Sequence, residues 1–330
     1  MNDMADSIHN DAVVIDGLII SKWSRALFEQ MRDGGLTAAN CTCSVWEDFP
    51  ATMQNVATWK RWFVENDDLL LQVHTTEDIH RAKREGKVGI FLGWQNTTGI
   101  DGNIDYLRVF RDLGVRVMQM TYNLRNRSGF GCWEAEDRGL TEFGREVVDN
   151  MNELGILVDL SHVGAKTSDD TIRHSAKPVA YTHCCPSGLY DHPRNKTDEQ
   201  LRFIAEQGGF VGVATYPPFM KWGADTTLAN CLEVIEYMIN IAGEDAVGIG
   251  TDFTQDQDVA FFSYLRTDPI TEQPCVPGKP SVAPLPKGFD TVGKYPNLTV
   301  AMEQAGWPES RILKVIGDNW MRVLKDVWGA

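Results

Sequence analysis

The sequence predicts a single-domain (β/α)8 TIM barrel that spans residues 1–330, and three observations lead to this fold class. Short apolar runs rich in β-forming residues recur eight times along the chain. Each run is apolar throughout, which is typical of parallel strands that are covered on both faces. Longer segments with helical spacing lie between the runs, so that strands and helices alternate as they do in a barrel. The predicted strands are 12–16, 38–43, 88–94, 115–121, 156–160, 178–182, 209–214 and 246–251.

The intervening helices are predicted from apolar residues spaced three and four positions apart. Examples are 103–114, 142–155, 197–208 and 231–243, each of which ends on a glycine that suits the position after a helix. The stretch 254–296 follows the eighth strand and is rich in proline and glycine, so we expect a long loop that forms a lid or wall of a site. Residues 297–330 are predicted to form closing helices.

The charge of the chain argues against two classes of partner. The formal net charge is −15, whereas nucleic acids and anionic membranes are bound by clustered Lys and Arg. The chain starts without a basic segment followed by an apolar one, and no apolar window approaches the length of a membrane helix. Seven cysteines without regular spacing favour reduced thiols. We therefore expect a cytoplasmic protein whose partner is a small-molecule substrate, with a homodimer left open.

Polar residues at the carboxyl ends of the predicted strands are the candidates for chemistry, because catalytic residues of such barrels lie there. His162 follows the fifth strand, His183 follows the sixth and Asp252 follows the eighth, while Gln95 and Tyr122 follow the third and fourth. Two imidazoles on adjacent strands can share one divalent cation, and a nearby carboxylate can exchange a proton with water. The alternative is that both histidines are hydrogen-bonded core residues.

Two cysteines directly follow His183 and raise the question of a thiolate ligand or a redox pair. Cys184 and Cys185 are adjacent in the chain and therefore cannot easily form a disulfide with each other. Their position beyond the predicted strand end favours packing over metal binding, although a thiolate is a plausible zinc donor. Cys41 and Cys43 are predicted to be small buried residues.

Four segments of the chain together resemble the membrane (renal) dipeptidase family of the amidohydrolase superfamily. They are residues 138–164, which contain "LVDLSHVG", residues 178–213, which contain "YTHCCPSG" and "HPRN", residues 246–253, "AVGIGTDF", and residues 317–324, "GDNWMRVL". The resemblance implies that His162 and His183 are metal ligands and that Asp252 is the proton-transfer carboxylate. It also implies that Arg194 holds the substrate's carboxylate, for which the fork of a guanidinium is suited. An exposed loop arginine is the alternative.

The sequence departs from the family pattern at positions that would hold a second metal ion. The family's first strand supplies a histidine and an aspartate, but Leu18 and Ile20 stand at those positions and cannot bind a cation. The family's bridging glutamate falls on Gln95, which carries no charge. The family's histidine after strand four falls on Tyr122, whose phenol can still donate a hydrogen bond to an oxyanion.

The sequence therefore predicts a hydrolase of the membrane dipeptidase type with one divalent metal ion, most naturally zinc, with iron as the alternative. His162 and His183 are the expected ligands, with Gln95 completing the site. The expected reaction is cleavage of an amide bond in a small, carboxylate-bearing, dipeptide-like substrate. Two alternatives remain open: another single-metal reaction on a small acid, and a metal-free barrel that only binds a small ligand.

Overall fold

The computed structural model describes residues 8–269 and 271–329. The expectation about the first residues of the chain, and the two ends of the predicted 1–330 domain, lie outside the described residues.

Eight parallel strands form the barrel, which confirms the predicted (β/α)8 fold. Hydrogen bonds between the extended ends of the last and first strands close it: the Asp252 amide donates to the Leu18 carbonyl at 3.0 Å, and the Ile20 amide donates to the Phe253 carbonyl at 2.9 Å. The strands are β1 (Ile15–Ile19), β2 (Ala38–Ser44), β3 (Leu70–Gln72), β4 (Val88–Trp94), β5 (Val115–Gln119), β6 (Leu157–Asp159), β7 (Ala180–Cys184), β8 (Phe210–Val213) and β9 (Val247–Ile249).

Two strands differ most from the sequence prediction. The short strand β3 was not predicted, and it lies off the main path of the sheet, where it pairs with residues 88–90 of β4. The first strand was predicted at 12–16 but runs from Ile15 to Ile19. This shift places Leu18 inside the strand and Ile20 directly after it.

The helices that surround the barrel are α1 (Arg25–Asp33), α2 (Phe49–Glu65), α3 (Thr76–Glu85), α4 (Tyr106–Leu113), α5 (Glu142–Leu154), α6 (Ala165–His174), α7 (Asp198–Glu206), α8 (Leu228–Ala242), α9 (Val259–Leu265), α10 (Tyr295–Gln304), α11 (Glu309–Leu313) and α12 (Asn319–Trp328). Helix α9 lies within the stretch 254–296, which the sequence predicts as loop. Its start is capped by the Asp258 side chain, which accepts the Phe261 amide at 3.0 Å. No helix in the described part of the chain is long and apolar enough to cross a membrane.

The last helix covers the amino-terminal end of the barrel. Trp320 of α12 packs against Phe210, the first residue of β8, with ring centroids 4.0 Å apart. Its indole donates to the Ile249 carbonyl at 2.8 Å, and it shares a buried cluster with the first residues of β1 and β7. Because α12 fills this end, the carboxyl ends of the strands are the face on which a site can open.

The strand that carries His183 is held very closely by its neighbours. A Cβ added at Gly212 or Gly250 would lie 2.0 or 1.8 Å from the carbonyl oxygen of Thr182, and one added at Gly17 would lie 2.7 Å from it. No side chain fits at such distances. Glycines on three other strands therefore allow the backbone around Thr182 to be enclosed inside the barrel.

Candidate active site

Two imidazoles meet at the carboxyl ends of β6 and β7. His162 lies three residues beyond the end of β6, and His183 is the fourth residue of β7. Their Nε2 atoms are 3.1 Å apart, and both side chains are buried. The structure thus brings together the two predicted metal ligands.

The other ring nitrogen of each histidine is held by a hydrogen bond that fixes the tautomer. Nδ1 of His162 lies 2.8 Å from Oδ1 of Asn123, which can only accept. Nδ1 of His183 lies 2.8 Å from the hydroxyl of Thr182, and that hydroxyl already donates its proton to Asp159 at 2.7 Å. Both Nδ1 atoms are therefore donors, and the lone pairs of the two Nε2 atoms face each other. That arrangement is repulsive unless a cation lies between the two nitrogens.

The environment keeps both imidazoles neutral. Burial lowers the pKa of His162 and of His183 well below the usual value, and the nearby positive charges of Arg194 and Lys196 lower both further. A neutral imidazole is the form that binds a metal ion. Lys196 is itself buried, with its ammonium 2.8 Å from the Val163 carbonyl and a pKa lowered to about 8 by burial.

The histidine pair fits one metal ion and does not fit two. Nitrogens that share an ion at about 2.0–2.1 Å lie about 3 Å apart, which agrees with the observed 3.1 Å. Hydrogen bonds from the opposite ring nitrogen to polar groups are also typical of metal-binding histidines. Among residues 8–269 and 271–329, however, no group of three or more His, Cys, Asp or Glu side chains is placed to hold a metal ion. His162 and His183 would therefore be the only imidazole, thiolate or carboxylate ligands.

Gln95, the predicted third ligand, is buried after β4 and is held by a hydrogen bond of its amide nitrogen. Its amide nitrogen donates to the Thr42 hydroxyl on β2 at 3.0 Å. Its main-chain carbonyl accepts a hydrogen bond from the side chain of Gln119, whose Oε1 in turn accepts the His162 amide at 3.3 Å. Gln95 therefore supports the site through the backbone, and Gln119, which the sequence analysis missed, links strand ends β4 and β6.

Leu18 and Ile20 make the mouth of the barrel apolar beside the first strand. Leu18 is 2% exposed, and Ile20 packs with Val45 and Tyr122 in a small buried cluster. Trp46 and two side chains of α9, Phe261 and Leu265, pack against this cluster.

Tyr122 connects the apolar cluster to the histidine pair. Its ring stacks on His162 with centroids 4.2 Å apart and planes at 27°, and the edge of Trp46 meets it at 5.0 Å. Burial raises the pKa of Tyr122 well above its usual value, and the charge of Asp252 raises it further. Tyr122 is therefore a neutral phenol at ordinary pH, which is the form that can donate a hydrogen bond.

Asp252 stands at the end of β9 in a left-handed backbone conformation, with φ of 59°. Burial raises the pKa of its carboxyl to about 7, although the charge of Arg194 lowers it, and Asp16 and Asp159 raise it. A carboxyl with a pKa near neutrality can both take and give a proton. Tyr216 follows β8 and was missed by the sequence analysis. Burial raises the pKa of its phenol, and the charge of Asp252 raises it further.

Arg194, the predicted anchor of a substrate carboxylate, is a buried side chain and not the exposed loop arginine of the alternative. Its guanidinium is buried, and its two terminal amino groups donate to main-chain carbonyls, at 2.5 Å to Ser161 and at 2.7 Å to His183. Two of the five N–H groups of the guanidinium thus join the strand ends that carry the two histidines. Its Nε has no hydrogen-bond partner among the described residues.

The cysteines near the site are buried free thiols. Cys184 belongs to β7, two residues beyond the predicted end of the strand, and the Cys185 thiol donates to the Ala214 carbonyl at 3.1 Å. Burial raises the pKa of both thiols, which disfavours the thiolate that a metal ion would need.

A (β/α)8 barrel with a histidine pair at the ends of neighbouring strands defines the chain as a protein of the amidohydrolase type. The chain belongs to the membrane dipeptidase family, peptidase family M19, whose model matches residues 22–261 and 278–329. It is thus a metallodipeptidase-like amidohydrolase, as the sequence predicts. The match begins after β1, which ends at Ile19.

Proteins of known sequence or structure align with most of this chain. An amidohydrolase from Pseudomonas aeruginosa of known structure is 52% identical, with a TM-score of 0.96 and 99% of both chains covered. A Klebsiella pneumoniae protein encoded in the region 5′ of pqqA is 30% identical over 285 residues, which are 83% of this chain and 95% of that protein. A Rhodobacter sphaeroides metallopeptidase, solved with a phosphinate mimic of the dipeptide L-Ala-D-Ala, has the same fold at 22% identity, with a TM-score of 0.80 and 96% and 100% of the two chains covered.

Proposed function

We propose that this barrel hydrolyses an amide bond in a small, carboxylate-bearing, dipeptide-like substrate with a single divalent metal ion, zinc in the first place. The observation that carries the proposal is the pair of Nε2 lone pairs that face each other at 3.1 Å. When bound there, a divalent ion would supply Lewis acidity and lower the pKa of water in contact with it. His162 and His183 would hold it, and water and substrate would fill its other positions.

The proton transfers are assigned to Asp252. Its pKa of about 7 suits a group that takes a proton from water and returns it to the leaving amine. The assignment requires the carboxylate form at the start of the reaction, so turnover should rise with pH through about 7. Tyr122, which stays a neutral donor beside His162, would stabilise negative charge on the oxygen of the cleaved amide.

Arg194 would attract the substrate's carboxylate by its charge and by Nε, which has no hydrogen-bond partner among the described residues. Because its two terminal amino groups also hold the carbonyls of Ser161 and His183, the same side chain positions both histidines. Arg194→Lys should therefore weaken substrate binding and metal binding together, whereas a residue that only anchored the substrate would change KM alone.

The test is metal analysis combined with a substrate screen on the intact chain. Purified protein incubated with zinc should retain one ion per chain, and His183→Ala should retain none. Dipeptides including L-Ala-D-Ala, N-acyl amino acids and their uncharged amides are then compared for cleavage. Cleavage of carboxylate-bearing substrates only supports the proposal. Binding of these compounds without cleavage would show a ligand-binding barrel, and equal cleavage of the uncharged amides would remove the carboxylate requirement.

A further inference from the structure

A cavity lies at the ends of β1 and β2, and neither His162 nor His183 is part of its wall. Its volume is about 290 Å³, and its walls include Ile20, Val45 and side chains of α9. Ile20 and Val45 also pack against Tyr122, which stacks on His162. The apolar cluster therefore separates this cavity from the proposed metal site.

Five aromatic residues line the cavity, Phe261 and Tyr264 from α9 and three tryptophans. Trp59 and Trp62 come from successive turns of α2, and Trp23 comes from the loop after β1. Their rings pack edge to face, with centroids 4.9 Å apart for Trp23 and Trp59 and 5.0 Å apart for Trp59 and Trp62. Edge-to-face contacts make the aromatic group rigid, so it presents a preformed apolar surface to whatever enters the cavity.

The same cavity contains one carboxylate that is held only by neutral donors. The Glu47 side chain accepts the Val45 amide at 2.7 Å, the Tyr264 hydroxyl at 2.8 Å and the Ser44 hydroxyl at 3.3 Å. Within the described residues, no Lys, Arg or His forms an ion pair with it. The carboxylate is thus fixed in position with its charge uncompensated by a neighbour.

The cavity wall also contains one positively charged ammonium group. Lys22 lines the cavity, and its side chain forms neither an ion pair nor a hydrogen bond with any described residue. The wall of the cavity therefore offers one positive group, one negative group and an aromatic surface. A ligand that satisfies all three must carry both charges and an apolar group.

We infer that this cavity binds a free α-amino acid with an apolar side chain. Its carboxylate would pair with Lys22, its ammonium with Glu47, and its side chain would lie against the three tryptophans. A cavity of about 290 Å³ is at the lower limit of ordinary ligand pockets, about 300–1,000 Å³, which suits one amino acid rather than a longer peptide. This site is separate from the proposed reaction and does not depend on it.

The inference is tested by calorimetric titration of the intact chain with L-leucine, L-leucinamide and N-acetyl-L-leucine. Leucinamide lacks the carboxylate and acetylleucine lacks the ammonium, so each should bind about tenfold or more weakly than leucine. Tryptophan fluorescence should change on binding, because three tryptophans line the cavity. Absence of saturable leucine binding would overturn the inference.

Two variants assign each charge to its residue. Lys22→Met should lower the affinity for leucine to that for leucinamide and leave the affinity for leucinamide unchanged. Glu47→Gln should lower the affinity for leucine to that for N-acetyl-L-leucine and leave the affinity for N-acetyl-L-leucine unchanged. Lys22 is exposed, so this variant should fold even if Glu47→Gln disturbs the loop after β2. The matched control is Lys221→Met, at a surface lysine that pairs with Glu233 outside the cavity. Equal loss in the control, or no change in the two variants, would contradict the assignment.

His183→Ala locates the bound amino acid. If leucine occupies the cavity behind Ile20 and Val45, its affinity should be unchanged when the histidine pair is broken. Loss of binding in this variant would place the amino acid at the metal site and overturn the inference. Loss of hydrolysis with leucine binding retained would concern only the proposed reaction.

Discussion

On two sides of the barrel mouth, a buried aspartate holds the neighbouring strand ends by the same set of hydrogen bonds. The residues that follow the two aspartates differ. On the side of β6, Asp159 accepts the amides of Ser161 and Thr182 at 2.9 and 3.1 Å and the Thr182 hydroxyl at 2.7 Å. On the side of β1, Asp16 accepts the amides of Leu18 and Thr251 at 3.0 and 2.9 Å and the Thr251 hydroxyl at 2.6 Å.

The residue after each braced threonine is a functional candidate, His183 in one case and Asp252 in the other. The residues after the two aspartates differ: the β6 side continues to His162, whereas the β1 side continues to Leu18 and Ile20. The buried carboxylates therefore determine where the strand ends lie. The residues up to four positions after each aspartate determine which chemistry that strand end can support. One brace supports the histidine pair and the other supports an apolar wall.

The largest effect is expected from His162→Ala and His183→Ala, which remove the only two imidazoles of the site. Each should abolish metal retention and lower hydrolysis by at least about a hundredfold, because one remaining nitrogen cannot hold the ion. Metal content per chain is the measurement, and His80→Ala, at an exposed histidine, is the control. Full metal content in both variants would make the histidines core residues.

Asp252→Asn should lower turnover by about 10²- to 10⁴-fold with little change in substrate affinity. The same variant should be more stable than the wild type at pH 8. The carboxyl has a pKa of about 7 in the folded chain against an ordinary value of 3.8, so ionising it between these pH values costs folding free energy. Thermal unfolding at pH 5 and pH 8 measures this: the gain should be larger at pH 8. An unaltered pH profile of turnover would remove Asp252 as the base.

Asp159→Asn and Asp16→Asn compare the two braces directly. Each leaves buried donors imperfectly paired, so both should lower stability by about 1–3 kcal/mol in urea unfolding. Only Asp159→Asn should also weaken metal binding, by about 10- to 100-fold, because Thr182 passes its hydrogen bond on to His183. Equal loss of metal affinity in both variants would show that the braces act on the fold as a whole.

The smallest effect on metal content is expected from restoring the family's residues on the β1 side. The double variant Leu18→His, Ile20→Asp should still bind one ion, because Gln95 supplies no bridging charge. It should also be less stable than the wild type, because it buries a carboxylate beside Tyr122. Adding Gln95→Glu is needed before a second ion is retained. Two ions in the double variant would show that the bridge matters less than we propose.

The fold was largely predictable because the barrel strands are continuous apolar runs. Strand β3 was missed because it has only three residues, Leu70–Gln72, and its position depends on pairing with β4. Helix α9 was missed because its seven residues lie between segments rich in proline and glycine. In the site, both histidines were predicted from strand ends alone.

The supporting residues of the site could not be read from the sequence in the same way. The partners of Asp159 and Asp16 depend on the register between strands, which periodicity does not fix. The only available signal was the repeated pairing of an aspartate in one run, as in "LVDLS" and "VIDGL", with a threonine in another, as in "YTH" and "GTD". The engagement of the Arg194 fork with two carbonyls is likewise a tertiary contact with no local signal.

The three glycines around the Thr182 carbonyl limit how this barrel can diverge. Gly17, Gly212 and Gly250 leave no room for even a methyl group, so substitution there requires the backbone of β7 to move. Leu18 and Ile20 stand at the rim, where one side chain can replace another without displacing a strand. Proteins that descend from such a barrel can therefore gain or lose activities by substitutions at the end of the first strand. The glycines packed around β7 below His183 cannot be substituted in the same way.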